Sequence, residues 1–363
     1  MEINNTKSNA LICLAAGDTQ SPLIHKAKSL GYIVVVIDKN NKAEGFKYAD
    51  EKIYISTHDA DSIIDQLKLL SKKFKWIGVL NRSSGPPAIT AAKICRYFDI
   101  PGIPIASAET LVHKDKFRQS CHEKCIPSPD YVIYDASERH NIEVHKFPVV
   151  VKPALSIRGK SGITIVRCNE ELNNSIRYAV ETTINKKIII EDYLEAPDLT
   201  LVSFVNKSKL FPVCFLEELN EENEDGTISP KGFRTFDVNI NNWYSQAKDI
   251  TSNIVSIFKI QRSPLLVSFR PNLDGDLRIV EVHLDLGGQL VIDTLYPAAL
   301  PFDFLELAVE MATENVNIPD EYDVRPTAII YNSGGGLIKE RGCQIFNADS
   351  NQSLDSKILS VKS

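Results

Sequence analysis

The chain has 363 residues, of which 43% are hydrophobic and 24% charged, and its formal net charge is -6. This length exceeds one ordinary core and predicts two or three compact units. No apolar run approaches the roughly 20 residues that a membrane helix needs, and Lys and Arg are spread along an acidic chain. The polar start also lacks the pattern of a secretory signal. We therefore expect a cytoplasmic protein that acts on small molecules, without membrane or nucleic-acid partners.

Seven cysteines are scattered along the chain, and only Cys121 and Cys125 lie close together, with His122 between them. A zinc site needs further ligands at compatible spacing, and none follows nearby. We therefore expect reduced thiols and no zinc site.

The first hundred residues alternate between apolar runs and helical patterns. Continuous apolar runs indicate strands that are buried on both faces, as in a parallel sheet. The predicted strands are Ala10–Ala16, Tyr32–Ile37, Lys52–Ile55 and Trp76–Leu80, and the predicted helices are Leu23–Leu30, Ala60–Phe74 and Pro87–Phe98. This pattern predicts a doubly wound parallel α/β domain, which binds ligands in the loops after its strands.

A dinucleotide site is one interpretation of this domain, because Asp38 follows the second strand where a ribose-binding acid would stand. The loop Gly17–Pro22 lacks the spaced glycines that let a backbone approach a pyrophosphate. The sequence therefore favours the alternative, in which Asp38 ends a strand and starts a turn.

The middle of the chain places cations where a polyanion would bind. A helix starts with Lys114, Asp115 and Lys116, and the apolar strand Phe147–Pro153 contains Lys152. A lysine in an apolar run needs a partner for its charge. The loop Ser156–Gly162 is small and basic, as in loops that wrap phosphates, although a surface hairpin would look similar.

Two later segments complete the candidate site. The strand Lys187–Ile190 leads into Glu191–Leu194, which we interpret as a hinge that pairs with an adenine edge. Leu265–Arg270 and Leu277–His283 flank the turn signal Asp274-Gly275 and predict a β-hairpin.

Alternation along the second strand of this hairpin puts three side chains on one face: Glu281, His283 and Asp285. Beside a triphosphate, such carboxylates suit magnesium, whereas a solvated strand face is the alternative.

The order of these features resembles the ATP-grasp superfamily from about residue 10 to about residue 300. The branch with biotin carboxylase, the carbamoyl-phosphate synthetase halves and L-amino-acid ligase-like proteins is the most similar. This resemblance implies an α/β fold in which a doubly wound parallel-sheet domain precedes a two-lobed α+β ATP-grasp domain. The implied division is 1–110 for the first domain, 111–195 for linker helices and small lobe, 196–315 for the large lobe, and 316–363 for a C-terminal extension.

The resemblance also implies roles for individual residues, with ATP and Mg or Mn as cofactors. Lys116 and Lys152 would hold phosphates, and Ser156, Ser161 and Gly162 would belong to the closing flap. Glu191 would receive the adenine amino group, the backbone of Asp192, Tyr193 and Leu194 would contact the rest of the ring edge, and Asp198 lies near a family glutamate. Glu281 and His283 are the candidate metal ligands, and Arg270 and Asp285 the candidate catalytic residues.

The late strands depart from the family pattern, which has a glutamate on the first strand and Glu-x-Asn-x-Arg on the second. This chain has Ser268, then Glu281, His283 and Asp285. An aspartate cannot stabilise a phosphoryl anion as arginine does. Two hypotheses follow: a divergent ligase whose positive charge comes from Arg270, Arg234 or Arg158, or a homologue that binds nucleotide without turnover.

The implied reaction joins a small-molecule carboxylate to an amine or thiol through an acylphosphate, and a homodimer is left open. Glu217–Arg234 is interpreted as a substrate loop or a disordered insertion. The tail from Arg325, with Gly334 to Gly336, predicts a closing hairpin.

Overall fold

A computed structural model describes residues 7–137, 144, 146–155, 161–313, 316, 321–332 and 342–362 of the chain. The helices are α1 (Ser21–Ser29), α2 (Ala60–Leu70), α3 (Pro86–Tyr97), α4 (Ile105–Val112), α5 (Lys114–Glu123), α6 (Asn169–Thr182), α7 (Trp243–Ile257), α8 (Tyr296–Ala299), α9 (Phe304–Thr313) and α10 (Asn351–Lys362). A 3₁₀ turn spans Glu44–Tyr48 and a π-helical turn spans Val291–Leu295.

Fifteen strands lie within the described ranges. They are β1 (Ser8–Leu14), β2 (Ile33–Ile37), β3 (Glu51–Ile53), β4 (Phe74–Asn81), β5 (Tyr131–Asp135), β6 (Val149–Pro153), β7 (Thr164–Val166), β8 (Lys187–Asp192), β9 (Asp198–Asn206), β10 (Lys209–Glu222), β11 (Ile228–Thr235), β12 (Arg262–Pro271), β13 (Leu277–His283), β14 (Thr327–Tyr331) and β15 (Cys343–Asn347). They form three sheets.

The first sheet has the order β3-β2-β1-β4, and all its pairs are parallel. Successive residues of β1 point to opposite faces and both faces are buried. Leu11 packs in a core with α1 and α9, whereas Ile12 packs in a core with α2 and α3. The doubly wound parallel domain predicted from the apolar runs is confirmed.

Asp38 has a local structural role at the end of β2. Its carboxylate accepts hydrogen bonds from the backbone N–H of Ala16 and of Asn40, both at 2.8 Å. These contacts are those of a residue that ends a strand and starts a turn.

Two antiparallel sheets follow. The four-stranded sheet β5-β8-β6-β7 packs against α6 and forms a small lobe. The seven-stranded sheet β13-β12-β9-β10-β11-β14-β15 forms a large lobe, with α7 on one face and α9 on the other. The two-lobed α+β arrangement expected after the first domain is present, and β14 and β15 of the predicted C-terminal extension join its larger sheet.

The segment Glu217–Arg234 corrects one expectation. It is neither a loop nor a disordered insertion, because β10 and β11 pair along it, with Glu217 opposite Arg234. The outer half of this hairpin is half-buried or exposed, so its polar composition looked like that of a loop. The tail hairpin is confirmed in β14 and β15, which pair antiparallel, while Gly334 to Gly336 lie outside the described residues.

Within the described ranges, no helix is both long enough and apolar enough to cross a bilayer. All seven cysteines are free thiols.

Candidate functional site

A cavity of about 590 Å³ lies where the three sheets meet, and most of the predicted site residues line it. The predicted residues on its wall are Lys152, Glu191, Asp192, Tyr193, Leu194, Asp198, Arg270, Glu281, His283 and Asp285. The loop after β4 contributes Ser84, Gly85 and Pro86. Residues that are more than 200 positions apart in the sequence therefore share one wall.

The first lysine of α5 lies in the cavity, and the predicted one does not. Lys114 lines the wall, whereas Lys116 is exposed and lies outside it. Two residues along an α-helix correspond to a rotation of about 200°, so the two side chains point to opposite faces. Lys114 is therefore the lysine of α5 that lines the cavity, and phosphate binding by either lysine stays a prediction.

The predicted flap is described only at its end. Ser156 and Arg158 lie outside the described residues. Ser161 lines a neighbouring, more open cavity beside the turn between β10 and β11. Gly162 has φ +81°, and a Cβ there would lie 1.8 Å from Oγ1 of Thr182, so the position requires glycine.

Glu191 is the centre of a buried charge cluster with Arg118 and Lys152. Arg118 donates to Oε1 of Glu191 from Nε at 2.9 Å and from Nη2 at 2.7 Å, and Nζ of Lys152 lies 2.8 Å from Oε2. The three residues are 1% (Arg118), 4% (Lys152) and 3% (Glu191) exposed. The carboxylate of Glu191 thus pairs with two cations, and its contact with an adenine amino group stays a prediction.

The pKa values of Glu191 and Lys152 depend on this burial and on the charges around them. Burial alone would raise the pKa of Glu191, but Arg118 and Lys152 outweigh it and hold that pKa below its ordinary value. Burial lowers the pKa of Lys152, and the charge of Glu191 opposes that shift.

Arg118 is a site residue that the sequence reasoning missed. Besides binding Glu191, it donates to the carbonyl oxygens of Ile279 and Val280, each at 2.9 Å. It thereby links α5 to β8 of the small lobe and to β13 of the large lobe. An arginine beside Phe117 on the buried face of α5 was the signal that could have identified it.

Arg270 braces the predicted hinge. It forms a bidentate pair with Asp198, from Nε at 2.5 Å and Nη2 at 2.6 Å, and donates to the carbonyl oxygen of Leu194 at 2.7 Å. Its guanidinium lies 5.0 Å from the ring centre of Tyr193. Arg270 thus contacts three residues of the Tyr193–Asp198 segment and fixes its position. A catalytic role for Arg270 stays a prediction.

Arg234, the second candidate for the missing positive charge, lies elsewhere. It pairs with Asp355 of α10, and its Nε lies 3.5 Å from Glu217. These contacts engage Arg234 at the β10–β11 hairpin, so it does not supply a cation to the cavity.

Glu281, on β13, is a carboxylate of the cavity wall with a lysine and a histidine beside it. Its Oε1 lies 2.5 Å from Nζ of Lys114, and its Oε2 lies 3.7 Å from Nε2 of His283. Burial would raise the pKa of Glu281, but the charges of Lys114 and His283 lower it well below its usual range. Ser268 faces Glu281 across the strand pair and contacts Thr200, with 3.1 Å between the hydroxyl oxygens.

The donor set limits what metal this site can hold. Within the described residues, no group of three or more His, Cys, Asp or Glu side chains is arranged around a metal position. Mg²⁺ in nucleotide sites takes one or two carboxylates and completes its shell with phosphates and water. The residues therefore fit one Mg²⁺ with Glu281 as protein ligand. Ser268, opposite Glu281, offers no carboxylate for a second ion.

Comparisons with known proteins agree with this architecture. Residues 103–223 match the family model described as D-ala D-ala ligase C-terminus. A formate-dependent phosphoribosylglycinamide formyltransferase of Prochlorococcus marinus is 26% identical over 254 residues, which cover 68% of this chain and 62% of that protein. The chain thus spans less than two thirds of this relative's length.

Two solved structures are similar over most of their length. The L-amino acid ligase of Bacillus licheniformis has a TM-score of 0.73 at 17% identity, covering 91% of this chain and 81% of that one. An ADP complex of N5-carboxyaminoimidazole ribonucleotide synthetase has a TM-score of 0.74 at 11% identity, covering 98% and 97%. Residues 103–223 therefore carry a domain of the D-ala D-ala ligase C-terminus (ATP-grasp) type, in a chain whose fold is similar to these two structures.

Proposed function

We propose that this protein is an ATP-dependent ligase that joins a carboxylate to an amine through an acylphosphate. One observation carries the proposal: a single cavity brings together Lys114 and Lys152, the predicted hinge Glu191–Leu194, and the carboxylate of Glu281 on β13. ATP-grasp relatives with ligase names support the same conclusion. A thiol nucleophile is the alternative to an amine.

The nucleotide would lie between the two lobes. The backbone of Asp192 to Leu194 would pair with the adenine edge, since Arg270 fixes the carbonyl of Leu194. Lys114 and Lys152 would contact the phosphates, because both line the cavity and a triphosphate needs cationic partners. Glu191 holds Lys152 in place from behind.

Glu281 would contribute the protein carboxylate to one Mg²⁺, or Mn²⁺, shared with the phosphates. The ion, when bound, neutralises charge on the transferring phosphoryl group. Lys114 contacts Glu281 and so adds a fixed positive charge at the same point. His283, 3.7 Å from Glu281, would orient that carboxylate.

In the proposed reaction, an oxygen of the substrate carboxylate attacks the γ-phosphorus of ATP, and the bond to the ADP oxygen breaks. The amine nitrogen then attacks the acyl carbon, and inorganic phosphate leaves. Phosphoryl transfer depends mostly on positioning and on charge neutralisation, for which the two lysines on the cavity wall are suited.

This proposal includes the division of the chain into four parts, with boundaries at residues 110, 195 and 315. It also includes a cytoplasmic location, which the free cysteines support. A homodimer is also included, and light scattering coupled to size-exclusion chromatography measures it.

The test is ADP and phosphate release in the presence of Mg²⁺ or Mn²⁺ against amino acids, hydroxy acids and amino sugars. ADP release that depends on both a carboxylate and an amine supports the ligase. Calorimetric binding of ATP without ADP release under any combination would instead indicate a nucleotide-binding homologue without turnover.

A further inference from the structure

A second polar region of the cavity wall lies away from the lysines and is built on Asp285. This residue is 5% exposed and lines the cavity. Its Oδ1 accepts a hydrogen bond from the N–H of Gly287 at 2.8 Å, and its Oδ2 accepts one from the hydroxyl of Ser84. Because Ser84 belongs to the loop after β4, Asp285 joins the first domain to the large lobe at the cavity.

A buried cation lies behind this carboxylate. The side chain of Arg82 is 1% exposed, and it is not part of the cavity wall. Its Nη2 lies 3.6 Å from Oδ1 of Asp293, and within the described structure neither Nη1 nor Nη2 has a hydrogen-bond partner. Burial lowers the pKa of Arg82, while the charges of Asp293 and Asp285 raise it. Arg82 therefore supplies positive charge to both acids from the protein side.

The hydroxyl of Tyr296 is the second independent feature of this region. Tyr296 is 1% exposed and lines the cavity, and its Oη has no hydrogen-bond partner among the described residues. A Cβ at Gly287 would lie 4.0 Å from this oxygen, and one at Gly288 would meet no atom within 4 Å, so the two glycines leave space beside it. A buried hydroxyl without a partner costs free energy that a bound polar ligand would recover.

We propose that Asp285, Tyr296 and Ser84 form the subsite for the second substrate, and that this substrate is a primary amine with no anionic group beside the amine. The proposal rests on the proposed ligase function and names its nucleophile. A carboxylate has about four acceptor positions, and the described contacts use two of those of Asp285. An ammonium group or amine would use the others, with Tyr296 as a further partner.

Charge excludes the opposite substrate class. A carboxylate or phosphate placed against Asp285 would face the charge of a buried carboxylate, and Arg82 does not reach the wall. The family pattern has an arginine in the place of Asp285, so the charge at this point is the reverse of that pattern. The negative charge of Asp285 therefore favours a cationic substrate over an anionic one at this subsite.

The test measures binding directly, with 2-aminoethanol as the cationic probe, acetate as the anionic probe and ethylene glycol as the neutral one. Each is titrated against the full-length protein by calorimetry, with and without a non-hydrolysable ATP analogue and Mg²⁺. We expect saturable binding of 2-aminoethanol, whereas any binding of acetate at the separate carboxylate position of the ligase should not weaken in Asp285→Asn. Asp285→Asn is expected to weaken 2-aminoethanol binding about tenfold or more, the usual effect of losing a charged hydrogen-bond partner.

Two further variants separate this role from general damage. Tyr296→Phe removes only the unpartnered hydroxyl, and we expect a folded protein with several-fold weaker 2-aminoethanol binding. Asp293→Asn is the matched control, because it removes the other acid near Arg82 and lies outside the cavity wall; its 2-aminoethanol affinity should change less than twofold. No saturable binding of 2-aminoethanol, equal 2-aminoethanol affinity in Asp285→Asn and wild type, or weaker acetate binding in Asp285→Asn than in wild type would overturn the proposal. The ATP analogue is titrated on the same samples, so loss of nucleotide binding contradicts the ligase and not the amine subsite.

Discussion

Removing the guanidinium of Arg118 is the perturbation whose effect on stability the structure defines best. Arg118→Met keeps an apolar stem of similar length on the buried face of α5 but removes four hydrogen bonds, two to Glu191 and two to carbonyl oxygens of β13. Glu191 then keeps only Lys152 as a partner. Breaking a buried ion pair by removing one member costs about 3–5 kcal/mol. Because Lys152 remains, we expect a loss near the lower end, about 3 kcal/mol in the free energy of unfolding.

The chain provides a matched control for this prediction. Arg167 also forms an arginine–glutamate pair at 2.7 Å, with Glu222, but the two side chains are 46% and 31% exposed. An exposed pair is worth about 0–1 kcal/mol, so Arg167→Met should change stability little. Urea unfolding of wild type and both variants at neutral pH, followed by circular dichroism and tryptophan fluorescence, measures the difference. Equal stability of the Arg118 and Arg167 variants would refute the view that this cluster holds the two lobes in place.

Three further predictions concern pH, nucleotide binding and packing. The folded-state pKa of Glu191 is lowered, so its stabilising contribution is complete above the ordinary value of 4.5 and is lost as pH falls. The difference in the free energy of unfolding between wild type and Glu191→Gln, measured by urea titration, should therefore shrink below pH 4.5. Glu224→Gln, at an exposed position, is the control and should show no such trend. Lys114→Ala should weaken ATP binding, measured by calorimetry, about tenfold or more, while Lys116→Ala should not. A larger loss of affinity in Lys116→Ala than in Lys114→Ala would instead support Lys116 as the phosphate-binding lysine. Gly232→Ala would place a Cβ 2.0 Å from a carbonyl oxygen of β14, so it should destabilise the protein by about 1–3 kcal/mol, and an unchanged melting temperature would contradict that packing.

Local patterns identified the first domain and several strands of the two later sheets. Continuous apolar runs identified the strands of the parallel sheet, since residues buried on both faces leave no alternation. The Asp274-Gly275 pair identified the turn between β12 and β13, where Gly275 adopts φ +85°. The outer half of the hairpin of β10 and β11 was missed, because its polar, partly exposed residues form no apolar run.

By itself, the sequence determined that a parallel α/β domain precedes a sheet carrying Lys152 and a hairpin carrying Glu281, because these signals repeat within a few residues. The tertiary structure alone decided which side chains meet. Ser84 contacts Asp285 across 201 positions, and Arg118 contacts Glu191 across 73. Such contacts depend on how whole sheets and helices pack, and no local pattern of spacing or polarity records that.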